Sequence, residues 1–219
     1  MLQSTTLDFL KGLAANNNKP WFDANRDAYA AAKEDFELFA TAVLKELAKN
    51  EPGFAEQKAK DCVFRIFRDV RFSKDKTPYK PNFGAYFSKG GKKFPGAGYY
   101  VHVEPGGRSF AGGGLWMPEA PILKAVRQEI DYNLDEFKGI VTDKKFKKVF
   151  PELNGESAKK PPVGYTEDNP GIEFIKMKSF TVTHPMTDDQ LGAKQFVKQV
   201  TDLFTTMRPL VDFLNRAVE

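Results

Sequence analysis

One cysteine, two histidines and no long apolar run are what this 219-residue chain has least of, and each scarcity removes a class of function. A lone thiol, Cys62, can neither close an intrachain disulfide nor build a thiolate zinc site, which points to a reducing, cytoplasmic compartment. Its flank, Cys62-Val63-Phe64, reads as buried strand and lacks the basic setting that activates a nucleophilic thiol. His102 and His184 lie far apart, and no close acidic pair has metal-loop spacing, so neither a metal site nor a cofactor is expected beyond magnesium carried in by a phosphorylated ligand. Phosphate-loop motifs are missing too: Gly90-Gly91-Lys92-Lys93 has no earlier glycine and no following Ser or Thr, and Gly112-Gly113-Gly114 reads as a turn or bulge. No apolar run approaches the ~20 residues that cross a bilayer. The polar opening Met1-Leu2-Gln3-Ser4-Thr5-Thr6 is unlike a signal peptide, so no membrane partner is expected.

What is present describes an ordinary globular chain. A hydrophobic content of 41% beside 28% charged residues lies well away from disordered compositions. Twenty Phe, which have no polar atom to satisfy, read as an aromatic-rich core. With no repeat, low-complexity linker or composition break, residues 1–219 are expected to form a single domain.

The periodicities predict an α+β fold. Leu7, Leu10 and Leu13 mark a first helix with Thr5 or Thr6 as cap; Lys19-Pro20 opens a second that runs to Lys49, with Phe36, Phe39, Val43 and Leu47 on one stripe. From Asp61 the period becomes two. Strands are predicted at 61–72, 83–88, 99–104 and 108–115, joined by short turns into an antiparallel meander, with one or two more strands in 172–182. Helices follow after Trp116 and over 143–149, and a last one, capped at Thr187-Asp188-Asp189, is expected to be kinked or divided at Pro209. The sheet is thus flanked by N-terminal and C-terminal helices.

The net charge of +4 sits in one stretch, Arg65 to Asn82, which holds six of the 33 basic residues and two of the 29 acidic ones, so elsewhere 27 charges of each sign balance. On a strand rising ~3.3 Å per residue, Asp69 and Arg71 stand about 7 Å apart on one face, and Arg65 lies roughly 20 Å from Arg71. The compact unit is therefore Asp69, Arg71 and whatever the following loop brings back. Pro78 and Pro81 stiffen that loop and fix Tyr79 and Lys80 between them. Arg71, Lys76 and Lys80 suit a phosphate, sulfate or carboxylate, the guanidinium by paired hydrogen bonds and the ammonium groups as point charges. Arg68 falls on the apolar face and requires a carboxylate partner or a bulge. For acid or base work the candidates are Asp69 and His102, the latter alternating with Tyr100 and Glu104 on one strand face.

The string Arg65-x-x-Arg68-Asp69-x-Arg71-Phe72-x-x-x-Lys76-x-Pro78-Tyr79-Lys80-x-Asn82 resembles the signature of the bacterial and fungal family known as domain of unknown function 2461. An N-terminal pattern is similar as well, in Phe9, Leu10, Leu13, Asn16, Asn17, Trp21, Phe22, Asn25, Arg26 and Tyr29. The resemblance implies a family without an established activity, and it suggests a second half to the site, in which Asn25 or Arg26 joins the basic loop. The full candidate set is then Arg65, Arg68, Asp69, Arg71, Lys76, Tyr79, Lys80, Asn82, Asn25 and Arg26.

Three functions fit this set. The first is recognition of an anionic small ligand, phosphorylated or nucleotide-like, with or without catalysis. An alternative is nucleic-acid binding, since Phe67, Phe72, Tyr79 and Tyr86 interleave with the cations as stacking platforms do. Another is docking of an acidic protein partner. Balanced charge elsewhere speaks against a broad nucleic-acid stripe.

Overall fold

The computed structural model describes residues 1–218. Helix α1 (Ser4–Ala15) starts without a side-chain cap: the Thr6 hydroxyl donates instead to Asp35 Oδ2 at 2.6 Å, tying this helix to the one it packs on. Asn18 caps α2 (Lys19–Ala24), its Oδ1 accepting from Trp21 N at 3.0 Å, and Pro20 occupies the first turn, where no amide hydrogen is needed. The predicted long helix is broken once, at Asn25, before α3 (Arg26–Ala48). A single turn, α4 (Ala59–Cys62), leads toward the basic stretch.

Four strands, β1 (Phe83–Phe87), β2 (Gly98–Val103), β3 (Ser109–Leu115) and β4 (Phe180–Met186), form an antiparallel sheet in the order β1-β2-β3-β4. Between β3 and β4 lie α5 (Ala120–Tyr132), α6 (Leu134–Thr142), α7 (Lys144–Val149) and the one-turn α8 (Ile172–Ile175). After β4 come α9 (Asp188–Leu191), entered through a capping box between Thr187 and Gln190, and α10 (Phe196–Arg216), which Pro209 does not divide. The β2–β3 turn places Gly106 and Gly107 at φ of 87° and 72°, and both amides donate to the Asp188 carboxylate.

Two stretches depart from the predicted strands. In 61–72 only two isolated antiparallel bridges form, Val63 with Ala85 and Phe67 with Tyr79. Of its would-be apolar face Cys62 and Ile66 are buried but Phe72 is 95% exposed, so cover is lost toward the Phe72 end and a ladder continued that far has nothing to bury. In 172–182 the first residues turn into α8, where Asn169 Oδ1 accepts from Gly171 N, and the strand starts only at Phe180. The Gly112–Gly114 run is interior strand rather than turn. A Cβ at Gly112 would stand 2.5 Å from the Val182 carbonyl and one at Gly114 2.0 Å from that of Phe180.

The residues divide into two compact units. The first comprises 1–92, 100–111 and 185–201. Its core joins α1 to α3 through Leu10, Leu13, Phe36 and Val43, with Phe36 stacked on Phe83 and Phe39 on Phe196. The second comprises 93–99, 112–184 and Asp202 onward. Here Phe137 meets Phe174, Phe180 and Phe213, Tyr99 stacks on Phe204 at 4.8 Å, and the buried Asn215 amide accepts from Ala97 N at 2.7 Å. Among the described residues no helix is long and apolar enough to cross a membrane.

Candidate functional site

All the candidate residues fall in the first unit. The chain from Phe64 to Asn82 doubles back on itself: Arg68 N donates to Pro78 O at 2.9 Å and Lys80 N to Ile66 O at 2.8 Å, while Phe64 N is anchored on Gly84 O of β1 at 2.9 Å. Backbone alternation then sends Tyr79 and Lys80 to opposite sides. Tyr79, 5% exposed, lies flat on Phe22 with ring centres 4.1 Å apart. The Asn17 side chain grips the Tyr79 backbone in both directions, its Nδ2 donating to the carbonyl at 2.9 Å and its Oδ1 accepting from the amide at 3.1 Å. Tyr79 is thereby the foundation of the loop, and Lys80 is what the loop presents.

Lys80 opens onto a hollow of about 310 Å³ lined by Phe64, Arg65, Lys80, Asn82, Gly84, Tyr100 and His102. Its Nζ lies 5.6 Å from the Phe64 ring centre, and Lys92 Nζ lies 5.5 Å from the same ring, a cation–π arrangement on an exposed aromatic. Burial lowers the Lys80 pKa, and the neighbouring Arg65 charge lowers it further. Among the described residues neither Arg65 nor Lys80 has a carboxylate within ion-pair distance; Arg65 acts on Asp69 only through space.

His102 and Tyr100 project from β2. His102 Nδ1 lies 3.3 Å from Tyr100 Oη and 3.4 Å from Asn82 Nδ2, and its Nε2 lies 2.9 Å from Glu104 Oε2. The other Glu104 oxygen accepts from Arg108 Nε at 2.5 Å, and the imidazole stacks on Phe110 at 4.9 Å. Burial, and after it the Glu104 charge, pushes the Tyr100 phenol up to about 12, so it stays protonated at neutral pH. Gly84 gives the phenol its space: a Cβ there would stand 2.5 Å from Tyr100 Oη.

The remaining candidates are engaged elsewhere. Asp69 and Arg71 form an exposed pair with one another, Nη2 to Oδ2 at 2.6 Å, and this bond holds the Asp69 carboxyl below the usual range. Lys76 Nζ donates to Val70 O at 2.9 Å. Arg68 has the carboxylate its position demands: it binds Asp75 and Thr77, and the Asp75 pKa falls to about 2, chiefly through the Thr77 amide and then through Arg68. Asn25 Nδ2 donates to Trp21 O, and Arg26 pairs with Asp23. The N-terminal segment does lie against the loop, but through Asn17 and Phe22. Of the candidates, Arg65, Lys80, Asn82 and His102 meet at the hollow; Arg68, Asp69, Arg71, Lys76, Tyr79, Asn25 and Arg26 do not line it.

Phe64, Gly84 and Tyr100 complete the lining. The alternation Tyr100-His102-Glu104 is readable in the sequence, whereas nothing in a sequence announces that a glycine is needed for the absence of its side chain. The single thiol, Cys62, is buried just before this segment, faces Gln57 Oε1 at 3.8 Å, and is pushed up to about 11 by burial. His184 sits in the second unit with Nδ1 donating to the Val149 carbonyl at 3.1 Å, a hydrogen bond within that unit. Among the described residues no three His, Cys, Asp or Glu side chains gather as metal ligands would.

Mixed helix and antiparallel sheet, with a basic fold-back joined to the β1 edge, define the class of protein. The chain belongs to the conserved hypothetical protein family DUF2461, whose model matches residues 5–213. Neither the curated proteins nor the solved structures contain a match.

Proposed function

We propose that the hollow beside β1 and β2 binds an anionic small molecule, phosphorylated or nucleotide-like, with Lys80 and Arg65 taking its charge. The observation that carries this reading is the cation pair: two like charges share one wall, Lys80 is partly desolvated, and no carboxylate stands within ion-pair reach of either among the described residues. Like charges held together out of bulk water repel, and a bound oxyanion turns that repulsion into attraction. The exposed Phe64 ring adds a face on which a base can stack. A buried, proton-retaining lone thiol suits the reducing cytoplasm in which such ligands abound.

A thermal-shift series with inorganic phosphate and adenosine monophosphate tests the reading. Melting temperature is expected to rise with ligand concentration in the native chain and to stay flat in Lys80→Ala. A native chain that responds to neither ligand removes the proposal. A second reading, nucleic-acid binding, is favoured by Phe72, which is 95% exposed with the Arg71 guanidinium 5.8 Å from its ring centre. Filter binding across salt separates the two, because a phosphate-tracking surface loses affinity steeply as salt rises.

A further inference from the structure

The hydrogen bonds around His102 carry the argument from charge to ligand identity. Glu104 accepts from the permanently charged Arg108 through one oxygen and faces His102 Nε2 with the other, at 2.9 Å. An ionised carboxylate only accepts hydrogen bonds, so in the neutral imidazole the hydrogen resides on Nε2 and Nδ1 carries the lone pair. That lone pair lies among lining residues, and its two neighbours hold it loosely. Tyr100 Oη at 3.3 Å and Asn82 Nδ2 at 3.4 Å both lie beyond the usual 2.7–3.2 Å range. No carboxylate lines the hollow, so its side-chain acceptors are Nδ1, the Asn82 amide oxygen and the Tyr100 oxygen.

A bound oxyanion satisfies Arg65 and Lys80 with its charged oxygens. The oxygen nearest Nδ1 meets a lone pair. If that oxygen carries hydrogen it donates; if it is bare, two acceptors confront each other in a partly desolvated site, an arrangement binding sites reject strongly.

We propose that the hollow selects oxyanions that bear a hydroxyl hydrogen, as hydrogen phosphate and singly protonated phosphate monoesters do, over fully deprotonated ones such as sulfate, with His102 as the specificity-determining acceptor and Glu104 as the residue that positions it. This rests on the anion-binding reading above and names its ligand class. Hydrogen phosphate and sulfate match closely in size and shape, so charge attraction by Arg65 and Lys80 alone does not separate them by much.

Titration calorimetry of the full chain with potassium phosphate and potassium sulfate, at matched ionic strength and slightly alkaline pH, tests the selection. Phosphate is expected to bind about tenfold or more tightly than sulfate, and the preference is expected to collapse toward parity in His102→Phe, which keeps a ring against Phe110 but offers no lone pair. Equal affinity in the native chain, or a preference that survives in His102→Phe, overturns the selection and leaves anion binding standing. Binding of neither anion overturns both. A readout independent of the variant's folding is long-range proton–nitrogen NMR of the histidine rings. His102 Nδ1 is expected at the unprotonated-nitrogen position in the native chain and as a tautomer mixture in Glu104→Gln, whose amide can face Nε2 either way. A hydrogen on Nδ1 of the neutral native ring overturns the proposal.

Discussion

The run from Arg65 to Asn82 contains two regions of equal net charge, +2 each, that behave in opposite ways. At its tip, between Arg68 and Thr77, each positive group but Lys74 meets an oxygen of the loop itself: Arg68 with Asp75, Arg71 with Asp69, Lys76 with the Val70 carbonyl. At its base, where the run is hydrogen-bonded beside β1 and then leads into it, Arg65 and Lys80 stand together without an ion-pair partner among the described residues. The charges of the tip are paired within it, and those of the base are not. Net charge therefore locates the run, but only the supply of nearby carboxylates separates its paired charges from Arg65 and Lys80.

Substitutions at the two regions should diverge, most of all in the packing beneath them. Phe22→Ala removes the buried ring on which Tyr79 lies, and is expected to cost about 3–5 kcal/mol in urea unfolding; Phe72→Ala at the tip, where the ring is 95% exposed, should stay within about 0.5 kcal/mol. Lys80→Ala is expected to weaken phosphate by about 1.5–3 kcal/mol in calorimetry, and Arg71→Ala to leave it unchanged. Equal losses in the two would erase the distinction. Gly84→Ala forces the Tyr100 ring aside and is expected to destabilise by about 1–3 kcal/mol while abolishing the phosphate response.

The smallest effect belongs to the tip and is read by pH. Asp75 has its pKa depressed from 3.8 to about 2, so it binds protons less readily folded than unfolded. Its contribution to stability is complete above the unfolded value and disappears as pH falls from 3.8 through about 2. Asp75→Asn should flatten the native stability curve within that acid window and nowhere else. A variant whose curve parallels the native one there would detach the Asp75 carboxylate from the Thr77 amide and Arg68 together.

Much of the fold was legible because its signals are local. Pro20 and Asn18 mark the start of a helix, Phe36, Phe39 and Val43 repeat at helical spacing, and three of the meander strands lie where period-two alternation and glycine turns put them. The stretch 61–72 alternates equally well, but alternation records which side chains share a face and is silent on whether another element covers it. The candidate site divided in the same way. Lys80 between two prolines and His102 on its strand were readable as local statements. The exclusion of Arg71 and Lys76 depended on which oxygens the loop folds back toward, and the roles of Gly84 and Glu104 on cross-strand and end-of-strand contacts that no spacing rule encodes.

Cys62 gives this arrangement an internal clock. It is the chain's sole sulfhydryl, it lies three residues before Arg65, and it is buried with a strong hold on its hydrogen. An alkylating reagent can reach it only on local opening of the chain around it, so the rate of its modification counts those openings. An occupant that bridges Arg65 and Lys80 would clasp both arms of the fold-back, and if that also steadies the neighbouring Cys62 stretch, it would slow the count.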